Sequence, residues 1–279
     1  MIWSNTPMSL SGWLTILRAI VFASGLAATQ TRADNLQIRY NVKLIGLTLG
    51  TAGLSGSIDS TSYRVDATAK LTGVATVVSN AKGAATSTGV FLQGRVAPNG
   101  FATTSANSQM TRTIRIAMQA GNVKASEITP PFDSPPDRVP VLDAHKRNVI
   151  DPLSAMLMPV ATGDNPIGPA SCNRVIPIFD GWTRFDISLA YVGSRDIHIK
   201  GYNGPVAVCS VRYTPISGHR DRPAVKFMTD NKKMEVWLAP LGENHMATPV
   251  YMGIETMIGM LVIEASDFNV MASGKAAQR

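Results

Sequence analysis

The sequence predicts an all-β, mainly antiparallel fold with one or two short helices, on three observations. Strict apolar–polar alternation runs through Leu36-Gln37-Ile38-Arg39-Tyr40-Asn41-Val42-Lys43-Leu44 and returns from Tyr63 to Leu71. Such a period of two marks a strand with one face on a core and one in water. Glycine, asparagine and proline punctuate the chain at short intervals, as hairpins require. Helical periodicity is confined to two brief stretches. Roughly ten strands with turns between them fit a barrel or a sandwich and no parallel α/β design.

Ahead of the first strand, residues 1–33 read as a secretory signal peptide. Arg18 ends a weakly charged leader, residues 19–28 are apolar, and Thr31-Arg32-Ala33 places small residues where a signal peptidase reads. An apolar run of about ten residues is short of the roughly twenty that span a bilayer. The expected product starts at Asp34 and is periplasmic, with residues 34–279 forming a single β-rich domain and no transmembrane segment.

Along that domain, the Gly- and Ser-rich residues 50–62 suit a connection that pairs the first two strands. Further strands are expected over 88–96, 101–108, 111–118, 184–191, 197–202, 206–213, 233–238 and 259–268. Ala97-Pro98-Asn99-Gly100-Phe101 and Ala120-Gly121-Asn122-Val123 read as hairpin turns, since proline presets its φ and Asn-Gly supplies positive φ. Residues 128–148 carry Pro130, Pro131, Pro135, Pro136 and Pro140, so they form a crossing loop and not a sheet interior. Neither flanking half has strands enough to close alone, which favours one domain.

The clearest helix is 151–158, with Asp151 as N-cap, Pro152 in the first turn and Pro159 as the stop. Leu153, Met156 and Leu157 share one face of it and are expected to dock on an apolar opening of the sheet. Residues 72–80 are a second, more β-branched helix candidate.

Hydrophobic residues make up 45% and charged residues 16% of the chain, a globular balance. The leader's two arginines reduce the net charge of +7 to +5, and the remaining cations are scattered, so nucleic acid is not an expected partner. Cys172 and Cys209 lack metal-ligand or C-x-x-C spacing; after export they read as a disulfide closing a 38-residue loop, with two separate thiols as the competing reading.

No catalytic motif stands out. His145, His198, His219 and His245 are not spaced as zinc ligands, Ser217 lacks the glycine of a nucleophile elbow, and no Walker loop or dinucleotide fingerprint implies a cofactor. Asp180, Asp186, Glu235, Glu255 and Glu264 lie in or near strands, and two of them brought together would suit an envelope-polymer hydrolase; solvated sheet-face carboxylates are the plainer reading. Phe179-Asp180-Gly181-Trp182 reads as a tight turn. Methionine is frequent, and Met156, Met158, Met234, Met252, Met257 and Met260 could line an interior adaptable to an acyl chain, or simply fill a core.

Arg138-Val139-Pro140-Val141, then His145 to Ala155 with Asp151-Pro152-Leu153-Ser154, resembles the signature of an exported bacterial family known as a domain of unknown function. Phe179-Asp180-Gly181, Arg184-Phe185-Asp186, Tyr202-Asn203-Gly204-Pro205, Pro215-Ile216-Ser217-Gly218 and the run from Gly259 to Ala265 follow in the same order. The resemblance implies a curved, open β-barrel or spiral akin to the Lol-type periplasmic lipoprotein carriers. It implies a role in cell-envelope integrity by binding or scaffolding, with a lipid, lipoprotein or envelope protein as partner, and carries no catalytic residues.

Overall fold

Inward apolar and outward polar side chains alternate through the computed structural model, which describes residues 33–73, 75–242 and 245–272. A first antiparallel meander comprises β1 (Asp34–Leu44), β2 (Leu47–Ile58), β3 (Ser62–Leu71), β4 (Lys82–Leu92), β5 (Arg95–Ala106), β6 (Thr111–Gln119) and β7 (Asn122–Thr129). After a long crossing segment and the two-residue β8 (Met158–Pro159), a second one comprises β9 (Arg174–Phe179), β10 (Arg184–Ile199), β11 (Tyr202–Ser217), β12 (Met234–Pro240), β13 (Met246–Thr256) and β14 (Gly259–Ala272). Pairing of β1 with β14 joins the meanders into one fourteen-stranded sheet, in the order β7-β6-β5-β4-β3-β2-β1-β14-β13-β12-β11-β10-β9, with β8 on β13. Every strand-to-strand ladder is antiparallel, and the sheet curls without closing. This is the expected curved, open all-β architecture.

The seam between edge strands β7 and β9 is sealed by the crossing segment. The amide of Val149 donates to the Gly121 carbonyl at 2.8 Å, and that of Ile150 to the Pro177 carbonyl at 2.9 Å. The Phe179 amide answers to the Ile150 carbonyl at 3.0 Å. At the same seam Gly181 adopts φ +97°, and a Cβ there would strike the Ile114 side chain, so only glycine lets the β9–β10 turn approach β6 so closely.

Several sequence expectations shift in detail. Residues 50–58, read as a connection, belong to β2, so the strands around Ile38 and Val65 do not pair with each other but flank β2 on either side. Pro98-Asn99-Gly100 is no turn: it lies inside β5, where Asn99 is the extra residue of a bulge between the pairs Thr88–Gly100 and Gly89–Pro98. The reversal falls instead at Gln93 and Gly94, both with positive φ. Two further bulges follow the same rule, Ile216 after Pro215 and Val250 after Pro249. Proline cannot donate to a ladder, so it sits where the ladder is already interrupted.

The expected helix over 151–158 is likewise shorter. Only Ser154–Met156 winds, as a 3-10 turn, before the chain extends into β8. Pro159 and the pull of β13 on β8 favour extension over a second helical turn. The candidate at 72–80 contracts to α1 (Ala75–Val78), and two short helices not foreseen are α2 (Pro169–Cys172) and α3 (Pro223–Asp230).

The 151–159 segment is the wall between two buried clusters. Leu153 and Leu157 join the larger one with Ile38, Tyr40, Leu54, Tyr63, Val65, Phe101 and Phe268. Ala155 and Met158 face the smaller one, with Cys172, Ile176, Ile178, Leu189, Cys209, Val236 and Leu238.

Candidate functional site

Asp151 is the hub of a polar network inside the larger cluster. Its Oδ1 accepts from the backbone amides of Leu153 and Ser154, both at 2.9 Å, which is the N-cap role expected of it. Its Oδ2 accepts from the hydroxyls of Ser154 at 2.5 Å and Ser87 at 2.9 Å. Tyr63 Oη stands 2.7 Å from Ser154 Oγ, whose own proton is committed to Asp151. Asp151, Ser154 and Ser87 are fully buried. Desolvation therefore holds the Asp151 carboxyl above the usual carboxylate range, although four donated hydrogen bonds pull the other way. Burial also pushes the Tyr63 phenol up.

Space for the network is made on β4. A Cβ on Gly89 would overlap the Tyr63 hydroxyl, so glycine at this position is what admits the phenol. Two hydroxyls beside a carboxylate could resemble a catalytic set, yet every member is sealed from solvent and the carboxylate is saturated. The arrangement can anchor the crossing segment to the sheet. It cannot meet a substrate.

Open space lies elsewhere, at the end of the curl. The inward-facing row fills one end with Leu36, Ile38, Tyr40, Leu54, Tyr63 and Phe101, all buried. Toward the other end the same rows carry Gly50, Ala52, Ala67, Ala69, Gly83 and Ala85, which pair across neighbouring strands. Small side chains leave room, and a cavity of about 440 Å³ opens there, lined by Val42, Ala69, Leu71, Ala81, Ala106 and Met110 among others. That volume lies within the range of small-molecule sites.

The remaining sequence-predicted residues are placed as follows. Cys172 and Cys209 form a disulfide, both fully buried in the smaller cluster. Leu153 and Leu157 are buried in the larger cluster with Met156 packed partly buried against it, and none of the three lines the open cavity. The methionines do not gather round one space. Met158 and Met234 are buried, whereas Met257 and Met260 are exposed on the β13–β14 hairpin. Sequence reading missed the lining, because its signal is the smallness of inward residues rather than any chemical group.

Four of the five carboxylates have partners of their own. Asp180 caps the β9–β10 turn, accepting from the Trp182 and Thr183 amides at 2.8 and 2.6 Å. Asp186 pairs with Arg184 at 2.6 Å, Glu255 with Lys233 at 3.1 Å, and Glu264 with Lys43. Glu235 and Glu264 both lie near Tyr251, whose phenol is raised first by burial and then by these two charges. Among the described residues no three of His, Cys, Asp and Glu are placed to hold a metal ion. No helix among them is long and apolar enough to cross a membrane.

A family model described as "Protein of unknown function (DUF3108)" matches residues 38–266, nearly the whole sheet. The chain belongs to this family. The DUF3108 chain matches no curated protein. Among solved structures it is similar to a beta-barrel-like protein of the domain of unknown function DUF1849 from Brucella abortus, at 9% identity and a TM-score of 0.50. The match covers 86% of this chain and 99% of that one, so the likeness is one of fold along the full sheet.

Proposed function

We propose that this DUF3108 protein is a binding protein of the cell envelope, exported past residue 33 to the periplasm, that holds the acyl part of a lipid or lipoprotein. Its interior would serve in the manner of the Lol-type carriers. One observation carries the reading: the inward rows change from Leu54 to Ala52 and Gly50 on β2 and from Tyr63 and Val65 to Ala67 and Ala69 on β3, beside Ala85 and Gly83 of β4, and a cavity opens where they do. A core evolved only for stability would be filled at that end, since interiors otherwise pack like crystals. Asp180, Asp186, Glu255 and Glu264 are each taken up by a partner, which gives the hydrolase reading less to work with.

Uptake of a fluorescent fatty acid, with mass spectrometry of lipid extracted from the purified protein, tests this. Wild type should take up the probe, and Ala69→Leu, which projects into the cavity from β3, should weaken uptake at least about tenfold while melting no lower. Absence of uptake by wild type, together with an extract free of acyl species, overturns the proposal.

A further inference from the structure

The same end of the sheet carries an exposed apolar patch. The β1–β2 hairpin presents Ile45 and Leu47, at 68% and 66% exposure, and the β13–β14 hairpin presents Met257 and Ile258, at 60% and 69%, with Met260 beside them. The two tips are neighbours, because β1 pairs with β14 and the Ile45 amide donates to the Met260 carbonyl at 3.0 Å. Met110, also exposed, stands on the β5–β6 turn and lines the cavity mouth. Large apolar side chains on a hairpin tip do nothing for folding and cost solubility, so a cluster of them marks a contact surface.

Charge selects the partner. The turn segments 44–51, 69–83, 105–112 and 256–260 contain Lys70, Lys82 and Arg112, and the carboxylate that borders them, Glu255 opposite Met260, is paired with Lys233 at 3.1 Å. Lys70 and Lys82 are directly opposed on β3 and β4, on the outward face at the cavity rim. Like charges in that position repel, and neither lysine has an ion-pair partner among the described residues. An anion lying across the pair would relieve the repulsion. Insertable apolar tips beside the opposed Lys70 and Lys82 match a bilayer surface bearing anionic headgroups.

We infer that the end of the sheet formed by the β1–β2, β3–β4, β5–β6 and β13–β14 turns docks on an anionic phospholipid bilayer, setting the cavity mouth against the membrane. The inference builds on the reading of the cavity as an acyl site, yet the two separate experimentally. A membrane contact at this end would let an acyl chain pass between bilayer and cavity without crossing water.

Co-sedimentation with vesicles of phosphatidylcholine alone, or with phosphatidylglycerol added, tests the docking, using the protein recovered after export so that all variants share one N-terminus. Wild type should sediment with the anionic vesicles and stay in solution with the neutral ones. Lys70→Glu with Lys82→Glu should weaken that binding at least about tenfold, as should raised salt. Ile45→Asp with Ile258→Asp should abolish it while leaving fatty-acid uptake intact, and Ala69→Leu should do the reverse. Wild type that ignores both vesicles, that binds both equally, or whose binding survives the tip and lysine substitutions overturns the inference and leaves the patch to a protein partner. Failure of uptake with vesicle binding retained would remove the cargo and keep the docking.

Discussion

Tyr63 Oη and Ser154 Oγ lie 2.7 Å apart although 91 positions separate them in the chain, and this contact ties a central strand to the segment that divides the two buried clusters. Because Ser154 donates to Asp151, Tyr63 is the donor here. Tyr63→Phe removes one hydrogen bond, leaves Ser154 still satisfied by Asp151, and keeps the ring against Phe91 at 5.4 Å. The expected cost is about 1 kcal/mol, or a fall of about 2–4 °C in Tm, read by thermal denaturation. A loss of several times that size would mean the phenol supports more than this bond.

Asp151 should matter far more, because four donors converge on it. Asp151→Ala strands two amides in the core and leaves the Ser87 and Ser154 hydroxyls only each other, Tyr63 and the Gly100 carbonyl, and about 3–5 kcal/mol of stability should go with them, measured by urea unfolding. The pH dependence separates charge from contact. Burial raises the folded pKa above the unfolded value, so the native state keeps its proton to higher pH than the unfolded chain does. Stability from this group is thus fully present below the unfolded pKa near 3.9 and is lost as pH rises through the folded pKa. Asp151→Asn cannot titrate. The stability of wild type relative to Asp151→Asn should therefore fall as pH is raised from about 4 toward neutrality, and a difference that grew instead would place the folded pKa below the unfolded one.

How much of this was legible in the sequence depended on whether a residue speaks through its neighbours in the chain or across the sheet. Alternation exposed β1 and β3 because each has one wet face. It could not expose β13, whose first five residues, Met246 to Val250, are all buried and so show no alternation. Pro98-Asn99-Gly100 misled because turn chemistry and bulge chemistry use the same residues. Asp151 was read as a cap from Pro152 and Leu153, correctly, but Ser87 and Tyr63 reach it only through the fold. The cavity had no sequence signature, since Ala69 and Gly83 are unremarkable until their strands are paired.

The crossing segment also depends on a ladder of rings and cations at the seam. Arg112 lies over Phe132 at 3.9 Å, Phe132 meets Trp182 at 4.9 Å, and Arg138 lies over Trp182 at 3.6 Å. Arg138 also donates to the carbonyls of Gly218 at 3.0 Å and Trp182 at 2.5 Å. Lysine offers neither the planar face nor the second directed donor. Arg138→Lys should cost about 1–2 kcal/mol and speed proteolysis within 130–142, whereas Lys146→Ala, a residue of the same segment with an exposed partner, should do neither. Equal proteolysis of the two variants would show that the ladder does not hold the loop.

The disulfide makes the last prediction, and its burial dictates how the test is run. Cys172 and Cys209 are 37 positions apart and fully buried between β11 and α2. Cross-linking a loop of that length restricts the unfolded chain, by about 4 kcal/mol as an upper figure, or about 10 °C in Tm for a protein of this size. Alanine is the right replacement, since a serine hydroxyl would enter an apolar cluster without a partner. The double variant Cys172→Ala with Cys209→Ala should melt lower than wild type in oxidising buffer. Reductant added to the folded protein should change little, because the sulfurs are out of reach; reduction in denaturant followed by refolding should bring wild type down to the variant. Coincident melting of oxidised wild type and variant would show that the bond adds no stability to this fold.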